Sequence, residues 1–160
     1  LNQLYRIGRG PSSSHTMGPE KACVLFKQNN PDADSFKAVL YGSLAKTGEG
    51  HGTDHVIKSV LKDVEIEYDT QTEQPHPNTM EFIAYMGASK CAEMRVYSIG
   101  GGALSIEGRA NTEGKRIYSL SSMSAIRTYC EEQNMRLYEY VYACEGQEIK
   151  EYLADVWKTM

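Results

Sequence analysis

The run F-K-A-V-L-Y at residues 36–41 is rich in residues that favour extended backbone, and it decides the fold class because three similar runs follow it. These later runs are V-E-I-E-Y (64–68), M-E-F-I-A-Y (80–85) and R-V-Y-S-I (95–99). V-E-I-E-Y alternates with period two, which is typical of a half-buried β-strand. The first part of the chain is therefore predicted to contain four strands.

Two helical segments interrupt these strands. The first covers about residues 19–28, because Pro19 suits a first helical turn and the sequence Asn29-Asn30-Pro31 stops a helix. The second begins near Asp54. Strands and helices that follow one another in this way predict an α+β fold.

The sequence changes character near residue 119, beyond which glycine becomes rare. Residues 121–133 are predicted to form a helix, and a second helical face follows at Leu137, Tyr140, Val141 and Cys144. After Gly146, apolar residues recur with helical spacing at Ile149, Tyr152, Leu153, Val156, Trp157 and Met160. We expect this C-terminal part, about residues 120–160, to cover the core and bury Trp157, and docking onto a neighbouring domain is the alternative.

The composition limits the classes of function. The chain has 160 residues, 41% of them hydrophobic and 24% charged, which predicts one domain with its own core. Lys and Arg total 17 against 21 Asp and Glu, and the resulting net charge of −4 argues against a nucleic-acid partner. No apolar run approaches the ~20 residues of a membrane helix and no signal peptide is recognisable, so we expect a cytoplasmic protein without a membrane partner.

The densest group of polar side chains lies in G-P-S-S-S-H-T-M-G-P (10–19), a glycine-bounded loop that leads directly into the first helix. The first N–H groups of a helix lack partners and carry the positive end of its dipole, so this position suits a carboxylate. The groups placed there are the imidazole of His15 and the hydroxyls of Ser12, Ser13, Ser14 and Thr16. The alternative interpretation is a simple N-cap, which needs only one hydroxyl.

A second loop, T-G-E-G-H-G-T-D (47–54), places three glycines around His51. The glycines would let the backbone approach a ligand closely, whereas an exposed and solvated histidine is the simpler interpretation. Thr53 or Asp54 is the predicted cap of the helix that follows. His55 is predicted to lie on that helix, at its surface or in packing.

A third loop, P-H-P-N-T (75–79), holds His76 between two prolines that restrict the backbone. This rigidity would position His76 for proton transfer. The alternative is a stiff turn into an edge strand, in which Asn78 bonds its own backbone.

The spacing of other residues excludes several common sites. The run Y-S-I-G-G-G (97–102) has neither a P-loop lysine nor the dinucleotide-binding pattern, so it predicts a turn at the end of a strand. The histidines form no H-E-x-x-H pair, and no G-x-S-x-G elbow of a hydrolase is present. No C-x-x-C spacing relates the four cysteines, so no metal or cluster site is expected inside this chain at Cys23, Cys91, Cys130 and Cys144.

Four runs of the sequence resemble, in the same order, the β domain of the iron-sulfur L-serine dehydratases: residues 10–19, L-Y-G-S-L-A-K-T-G-E-G-H-G-T-D (40–54), H-P-N-T-M (76–80) and residues 97–102. The resemblance is close from residue 4 to about 108 and looser in the helical tail. One departure is Arg9-Gly10, because many members run from Ser-Ile-Gly straight into Pro-Ser-Ser-Ser-His. This departure predicts a longer loop here.

The resemblance implies a mixed sheet with flanking helices over residues 1–160, similar to the allosteric substrate-binding domain of some phosphoglycerate dehydrogenases. It also implies a cysteine-bearing α domain, fused or present as a separate subunit, that is absent from this chain. In the family that domain holds a 4Fe-4S cluster, so the cysteines of this chain match no cluster ligands. A homodimer is a further expectation.

The activity that the resemblance implies is dehydration and deamination of L-serine to pyruvate and ammonia. The hydroxyls of residues 12, 13, 14 and 16, together with the helix N-terminal amides, would hold the carboxylate, and Asn78 and Thr79 would also bind the substrate. His51 is the first candidate for proton transfer, with His15 and His76 in orienting or acid roles. Two other functions stay open: a serine-sensing regulatory module, and an interaction domain that forms the dimer and docks the α domain.

Overall fold

The computed structural model describes residue 8, residues 10–109 and residues 117–160. The chain divides into two compact units. One lies within residues 8–111 and is called the sheet unit, and the described part of the other, residues 117–160, is called the helical unit. The boundary falls close to the change in sequence character near residue 119. Arg9, and with it part of the longer loop predicted there, lies outside the described residues.

The sheet has five strands in the order β2-β1-β3-β4-β5. Their bounds are β1 Ser35–Tyr41, β2 Val64–Asp69, β3 Thr79–Met86, β4 Ser89–Gly100 and β5 Ala103–Ile106. β1 and β2 are parallel and the other pairs are antiparallel, so the sheet is mixed. The four predicted strands are confirmed, and β5 is a fifth that pairs with β4 across the predicted glycine turn.

Three helices accompany the sheet: α1 (Met17–Asn29), α2 (Gly42–Thr47) and α3 (Thr53–Leu61). α2 and α3 connect the parallel strands β1 and β2, a connection that requires a crossover rather than a hairpin. The predicted cap by Thr53 or Asp54 is wrong. α3 begins after Gly52, which has φ +76°, and Thr53 is already the first helical residue. His55 is exposed on α3, as predicted for a surface residue.

The core of the sheet unit is built around aromatic contacts between α1 and the sheet. The ring of Phe26 in α1 lies 6.1 Å from that of Phe36 in β1 and 5.8 Å from that of Phe82 in β3, measured between centroids. On β3, Met80, Phe82 and Ala84 are fully buried. β3 lies between β1 and β4, so the prediction that residues 75–79 lead into an edge strand is wrong. The α+β class with a mixed sheet and flanking helices is confirmed.

The helical unit contains α4 (Met123–Glu132), α5 (Leu137–Glu145) and α6 (Glu148–Thr159) in its described part. The three predicted helices are confirmed, and Gly146, with φ +83°, ends α5. Tyr140 is the centre of the packing, since its ring lies 6.1 Å from that of Tyr118 and 5.6 Å from that of Tyr129. The buried residues of these helices are Cys130, Tyr140 and Ile149.

The prediction that α6 buries Trp157 is wrong, because this side chain is 78% exposed. The apolar spacing of α6 identified a helix correctly, but spacing alone does not determine whether a partner covers the apolar face. None of the helices in the described part of the chain has the length and hydrophobicity that a bilayer crossing requires.

Candidate active site

The loop of residues 10–16, called the serine loop, folds back on itself before α1 begins. The N–H groups of His15 and Thr16 donate to the carbonyl of Ser12 at 3.1 and 2.9 Å, and that of Gly18 donates to the carbonyl of Ser13 at 2.9 Å. Thr16 makes no side-chain capping bond, so the simple N-cap interpretation is wrong. Because these amides are bonded within the loop, it presents side-chain groups, rather than those three amides, to a ligand.

The imidazole of His15 is buried and is hydrogen-bonded at both ring nitrogens. Nδ1 lies 3.1 Å from Ser12 Oγ and 3.0 Å from Ser14 Oγ. Nε2 lies 3.0 Å from Thr47 Oγ1 and 3.3 Å from Ser43 Oγ. Both of the latter hydroxyls belong to α2, so His15 joins the serine loop to the helix that follows β1.

These bonds determine which nitrogen of His15 carries the hydrogen. The hydroxyl of Thr47 has a single hydrogen, which it donates to the carbonyl of Ser43 at 2.8 Å, so its oxygen accepts from Nε2–H of His15. Nδ1 is then the acceptor for a serine hydroxyl. Burial, followed by the charge of the neighbouring His51, lowers the pKa of His15 below its usual value of 6.5 and favours the neutral ring.

His51 has the opposite tautomer. Its ring centroid lies 4.8 Å from that of His15, and its Nδ1 lies 2.8 Å from the carbonyl oxygen of Thr47. A carbonyl oxygen only accepts, so Nδ1 carries the hydrogen and the neutral ring has its lone pair on Nε2. An oriented imidazole with an unprotonated Nε2 is the arrangement that a general base requires.

Backbone contacts bring the other loops to the same region. The hydroxyl of Thr53, at the start of α3, donates to the carbonyl of His15 at 2.7 Å. The N–H of Ser43 donates to the carbonyl of Pro77 at 2.7 Å. A Cβ at Gly42, which has φ +54°, would lie 2.5 Å from that same carbonyl, so glycine is required here. The loops that the sequence could not show to converge therefore meet around α2.

His76 is held within its own loop. Its Nδ1 accepts the N–H of Asn78 at 3.1 Å, and its carbonyl accepts the hydroxyl of Thr79 at 2.6 Å. The alternative interpretation had Asn78 bonding its own backbone, whereas its side-chain amide donates to the carbonyl of Ser98. The ring centroid of His76 lies 6.1 Å from that of Tyr97. Among the described residues, no ring contact or hydrogen bond joins its ring to either of the other two histidines, and its role stays a prediction.

Ser98 connects the fourth run of the resemblance to this site. Its N–H donates to the carbonyl of Asn78 at 2.9 Å, and the Asn78 amide donates to the carbonyl of Ser98 at 3.4 Å. The Ser98 side chain is fully buried, and a Cβ at Gly18 would overlap its Oγ. Within the described part of the chain, neither Ser98 Oγ nor Asn78 Oδ1 has a hydrogen-bond partner, although both are buried.

Sequence reasoning did not single out Ser43, Thr47 or Ser98 as site residues. The first two are four positions apart, a spacing that places side chains on one face of a helix, but the run of six residues was not recognised as helical. Thr53 was interpreted as a cap, whereas its hydroxyl bonds the carbonyl of His15. The remaining predicted substrate residues lie in these same loops, and their contact with a ligand stays a prediction.

The cysteines of this chain do not provide a cluster site. Cys23 is buried in the core, where desolvation raises the pKa of its thiol, and Cys91 is exposed on β4. Cys130 and Cys144 lie in the helical unit. No group of three or more metal-ligating side chains is present in the described residues. These residues therefore do not fit a 4Fe-4S cluster.

Comparisons with known proteins agree on one family. A family model described as "Serine dehydratase beta chain" matches residues 1–68. L-serine dehydratase 1 of Escherichia coli (strain K12) is 28% identical over an alignment of 213 residues, which covers 100% of this chain and 47% of the relative. L-serine dehydratase 2 of the same organism is 28% identical over 210 residues, which covers 98% of this chain and 46% of the relative.

A more similar but shorter match is L-serine dehydratase of Streptomyces coelicolor, 52% identical over 56 residues that cover 31% of this chain and 12% of the relative. The chain spans about half the length of the two E. coli relatives. The family match includes the serine loop, α2 and His51, and the E. coli relatives extend the similarity across the helical unit. Together these matches support the identification of this chain as a serine dehydratase β domain.

Proposed function

We propose that this chain is the β part of an L-serine ammonia-lyase, which dehydrates and deaminates L-serine to pyruvate and ammonia. The observation that carries the proposal is the pair of adjacent imidazoles with opposite tautomers, one enclosed by hydroxyls and the other with a lone pair on Nε2. The name of the relatives, L-serine dehydratase, supplies the substrate.

In this proposal the carboxylate of L-serine accepts hydrogen bonds from Ser13 and from one of Ser12 and Ser14, because the other of that pair donates to Nδ1 of His15. Thr16 and Thr79 have a supporting role instead, because their hydroxyls already donate to the carbonyls of Ser12 and His76. A carboxylate needs donors, and these two hydrogens are used within the protein.

The polar atoms near Ser98 supply a second point of attachment in the proposal. Asn78 Oδ1 is a buried acceptor without a described partner, which suits the ammonium of the substrate. Buried polar atoms are almost always bonded, so an acceptor left in this state next to the serine loop supports a ligand that completes the bonding.

His51 Nε2 accepts the α proton of L-serine in the proposed reaction. Loss of this proton from the α carbon and of hydroxide from the β carbon gives aminoacrylate, which hydrolyses to pyruvate and ammonia. The 4Fe-4S cluster implied by the resemblance would supply a Lewis acid for the departure of hydroxide, with its ligands on the α domain. The homodimer and the cytoplasmic location are proposed on the resemblance and the sequence alone.

The test is anaerobic formation of pyruvate from L-serine. This chain would be assayed alone and combined with the half of E. coli L-serine dehydratase 1 that it does not match, both mixed and fused in that relative's own order. We expect activity only in the combination, and a loss of at least ~100-fold on His51→Ala. His55→Ala is the matched control, because His55 is exposed on α3 four residues away and should leave turnover unchanged.

Other results would change the assignment. Activity of the chain alone would contradict the need for a second domain, and full activity of His51→Ala would exclude His51 as the base. Saturable L-serine binding that survives His51→Ala, without turnover in any combination, would favour a serine-sensing module. L-serine binding is measured from the imidazole NMR signals of the chain. Absence of both this binding and turnover would contradict the proposed function.

A further inference from the structure

Exposed hydrophobic side chains are concentrated in the helical unit. Eleven large hydrophobic residues are exposed in the described part of the chain, and seven of them belong to this smaller unit. The most exposed are Met123 at 66%, Trp157 at 78% and Met160 at 89%. Scattered exposed apolar residues are ordinary in soluble proteins, whereas a contiguous group indicates an interaction surface.

Two grooves connect three of these exposed residues, Met123, Leu137 and Tyr138. One, of about 820 Å³, lies along α4 and α5, and its apolar lining includes Met123, Ile126 and Leu137. The other, of about 560 Å³, lies along α5 and α6 and is lined by Leu137, Tyr138 and Leu153 among others. Leu137 lines both grooves, so they form one continuous surface, which we call the apolar groove surface.

The C-terminal end of the chain, from Val156 onward, leaves further apolar side chains uncovered. Ile149 near the start of the helix is 2% exposed, Val156 is half-buried, and Trp157 and Met160 are almost fully exposed. Transfer of a large apolar side chain out of water is favourable, so a helix that leaves such residues in water gains stability when a partner covers them.

The lengths of the relatives indicate what the partner is. The E. coli L-serine dehydratases align with essentially all of this chain, yet the alignments cover only 47% and 46% of them. The helical unit also contains four Lys and Arg against seven Asp and Glu, so it contributes three of the four net negative charges. At the larger groove, however, Arg127 and Arg136 accompany Glu131 and Glu139. A complementary partner therefore presents an apolar face with charged side chains of both signs at its border.

We propose that the apolar groove surface is where the second half of the enzyme docks, through an apolar face bordered by charged side chains of both signs. This proposal rests on the proposed function, which requires a second domain, and it adds the surface through which that domain binds.

The test is oxidation of methionines by peroxide, followed residue by residue by mass spectrometry. The chain would be compared with its mixture with, and its fusion to, the unmatched half of E. coli L-serine dehydratase 1. Because oxidation depends on exposure, we expect Met123 and Met160 to react at least ~5-fold more slowly in the combination. Met86, which is 53% exposed in the sheet unit, is the internal control and should react at an unchanged rate.

Leu137→Glu supplies the second arm, since Leu137 lines both grooves and is 48% exposed, so its replacement leaves the buried packing of the unit in place. We expect this variant to abolish the protection of Met123 and Met160, whereas Met86→Glu should preserve it. Unchanged oxidation of both methionines in the mixture and the fusion would overturn the proposal.

Three further outcomes would also overturn it. Protection in the chain alone that grows with concentration would identify a second copy as the occupant, and protection at all dilutions would identify the chain's own sheet unit. Equal protection of Met86 would place the partner on the sheet unit as well. The proposals fail separately: turnover without protection contradicts this docking surface, and protection without turnover contradicts the proposed reaction.

Discussion

The sheet unit and the helical unit differ in what they bury. The sheet unit encloses a complete apolar core, in which Phe26, Phe82 and Ile57 have almost no exposed surface. The helical unit buries few residues and leaves its largest apolar side chain, Trp157, in contact with water. An apolar face in the sequence is therefore buried in one unit and exposed in the other, because a core requires both an apolar face and a second surface to cover it.

Polar burial shows the same contrast in reverse. Among the described residues, all six buried polar or charged side chains lie in the sheet unit, and five of them belong to the candidate site: His15, Thr16, Thr53, Thr79 and Ser98. Burying a polar group costs free energy unless the group is hydrogen-bonded, and Ser98 Oγ has no hydrogen-bond partner in the part of the chain that the structure describes. The sheet unit thus contains a site whose buried polar groups reduce its stability, while the helical unit exposes an apolar surface that can bind a partner.

The largest expected effect is the difference in unfolding free energy between removing a buried aromatic residue of the sheet unit and removing an exposed one of the helical unit. Phe82→Ala should lower the free energy of unfolding by about 3–5 kcal/mol, because Phe82 is fully buried on the central strand and its removal leaves a cavity. Trp157→Ala should change it by less than about 0.5 kcal/mol, because the larger side chain is exposed. Urea denaturation followed by far-ultraviolet circular dichroism measures both.

A loss of more than about 1 kcal/mol for Trp157→Ala would break the comparison, because such a loss is typical of a packed residue. That result would mean that α6 already has a cover in the isolated chain, and it would also count against the proposed docking surface.

The next prediction concerns the close contact between Gly18 in α1 and Ser98 in β4. Gly18→Ala should cost about 1–3 kcal/mol, because the added Cβ overlaps Oγ of the buried Ser98. Gly18→Ala/Ser98→Gly should recover most of the loss, since it removes the overlapping atoms. Gly50→Ala is the control, because the nearest atom to its new Cβ is 3.6 Å away. Denaturation midpoints compare the four proteins, and equal midpoints for Gly18→Ala and the control would show that the contact is not tight.

The strands were predictable because each carries its own signal. F-K-A-V-L-Y contains β-branched and aromatic residues, and V-E-I-E-Y alternates with period two. Both signals lie within the strand itself, so the strands can be recognised without knowing that they pair with each other. α2 was not predictable in this way, since six residues that begin with glycine have little helical propensity of their own.

The site was predictable in composition but not in geometry. The sequence identifies His15 and His51 as unusual, yet the groups that fix the tautomer of His15 include Ser43 and Thr47, which are 28 and 32 residues away. Such contacts depend on the tertiary fold. The prediction that Trp157 is buried is wrong for a related reason, because the spacing of an apolar face does not show what covers it.

The smallest effect is the pH dependence that arises from His15. Burial and the neighbouring His51 lower its pKa in the folded protein, so near pH 6 the unfolded chain binds more protons than the folded chain at this residue. The free energy of unfolding should therefore be highest when His15 is neutral in both states, and should fall as the pH drops through the usual histidine value of 6.5.

One proton limits the slope to about 1.4 kcal/mol per pH unit, and the slope approaches this limit only at pH values between the folded and unfolded pKa values of His15. Denaturation at about pH 7.5 and about pH 5.5 measures it. His15→Gln should flatten the dependence, whereas His55→Gln, which changes an exposed histidine of the same unit, should preserve it. An equal slope in His15→Gln and the unaltered chain would mean that His15 titrates as an exposed histidine does. The burial of His15 and the hydrogen bonds at both of its ring nitrogens, which distinguish the sheet unit from the helical unit, would then not persist in solution.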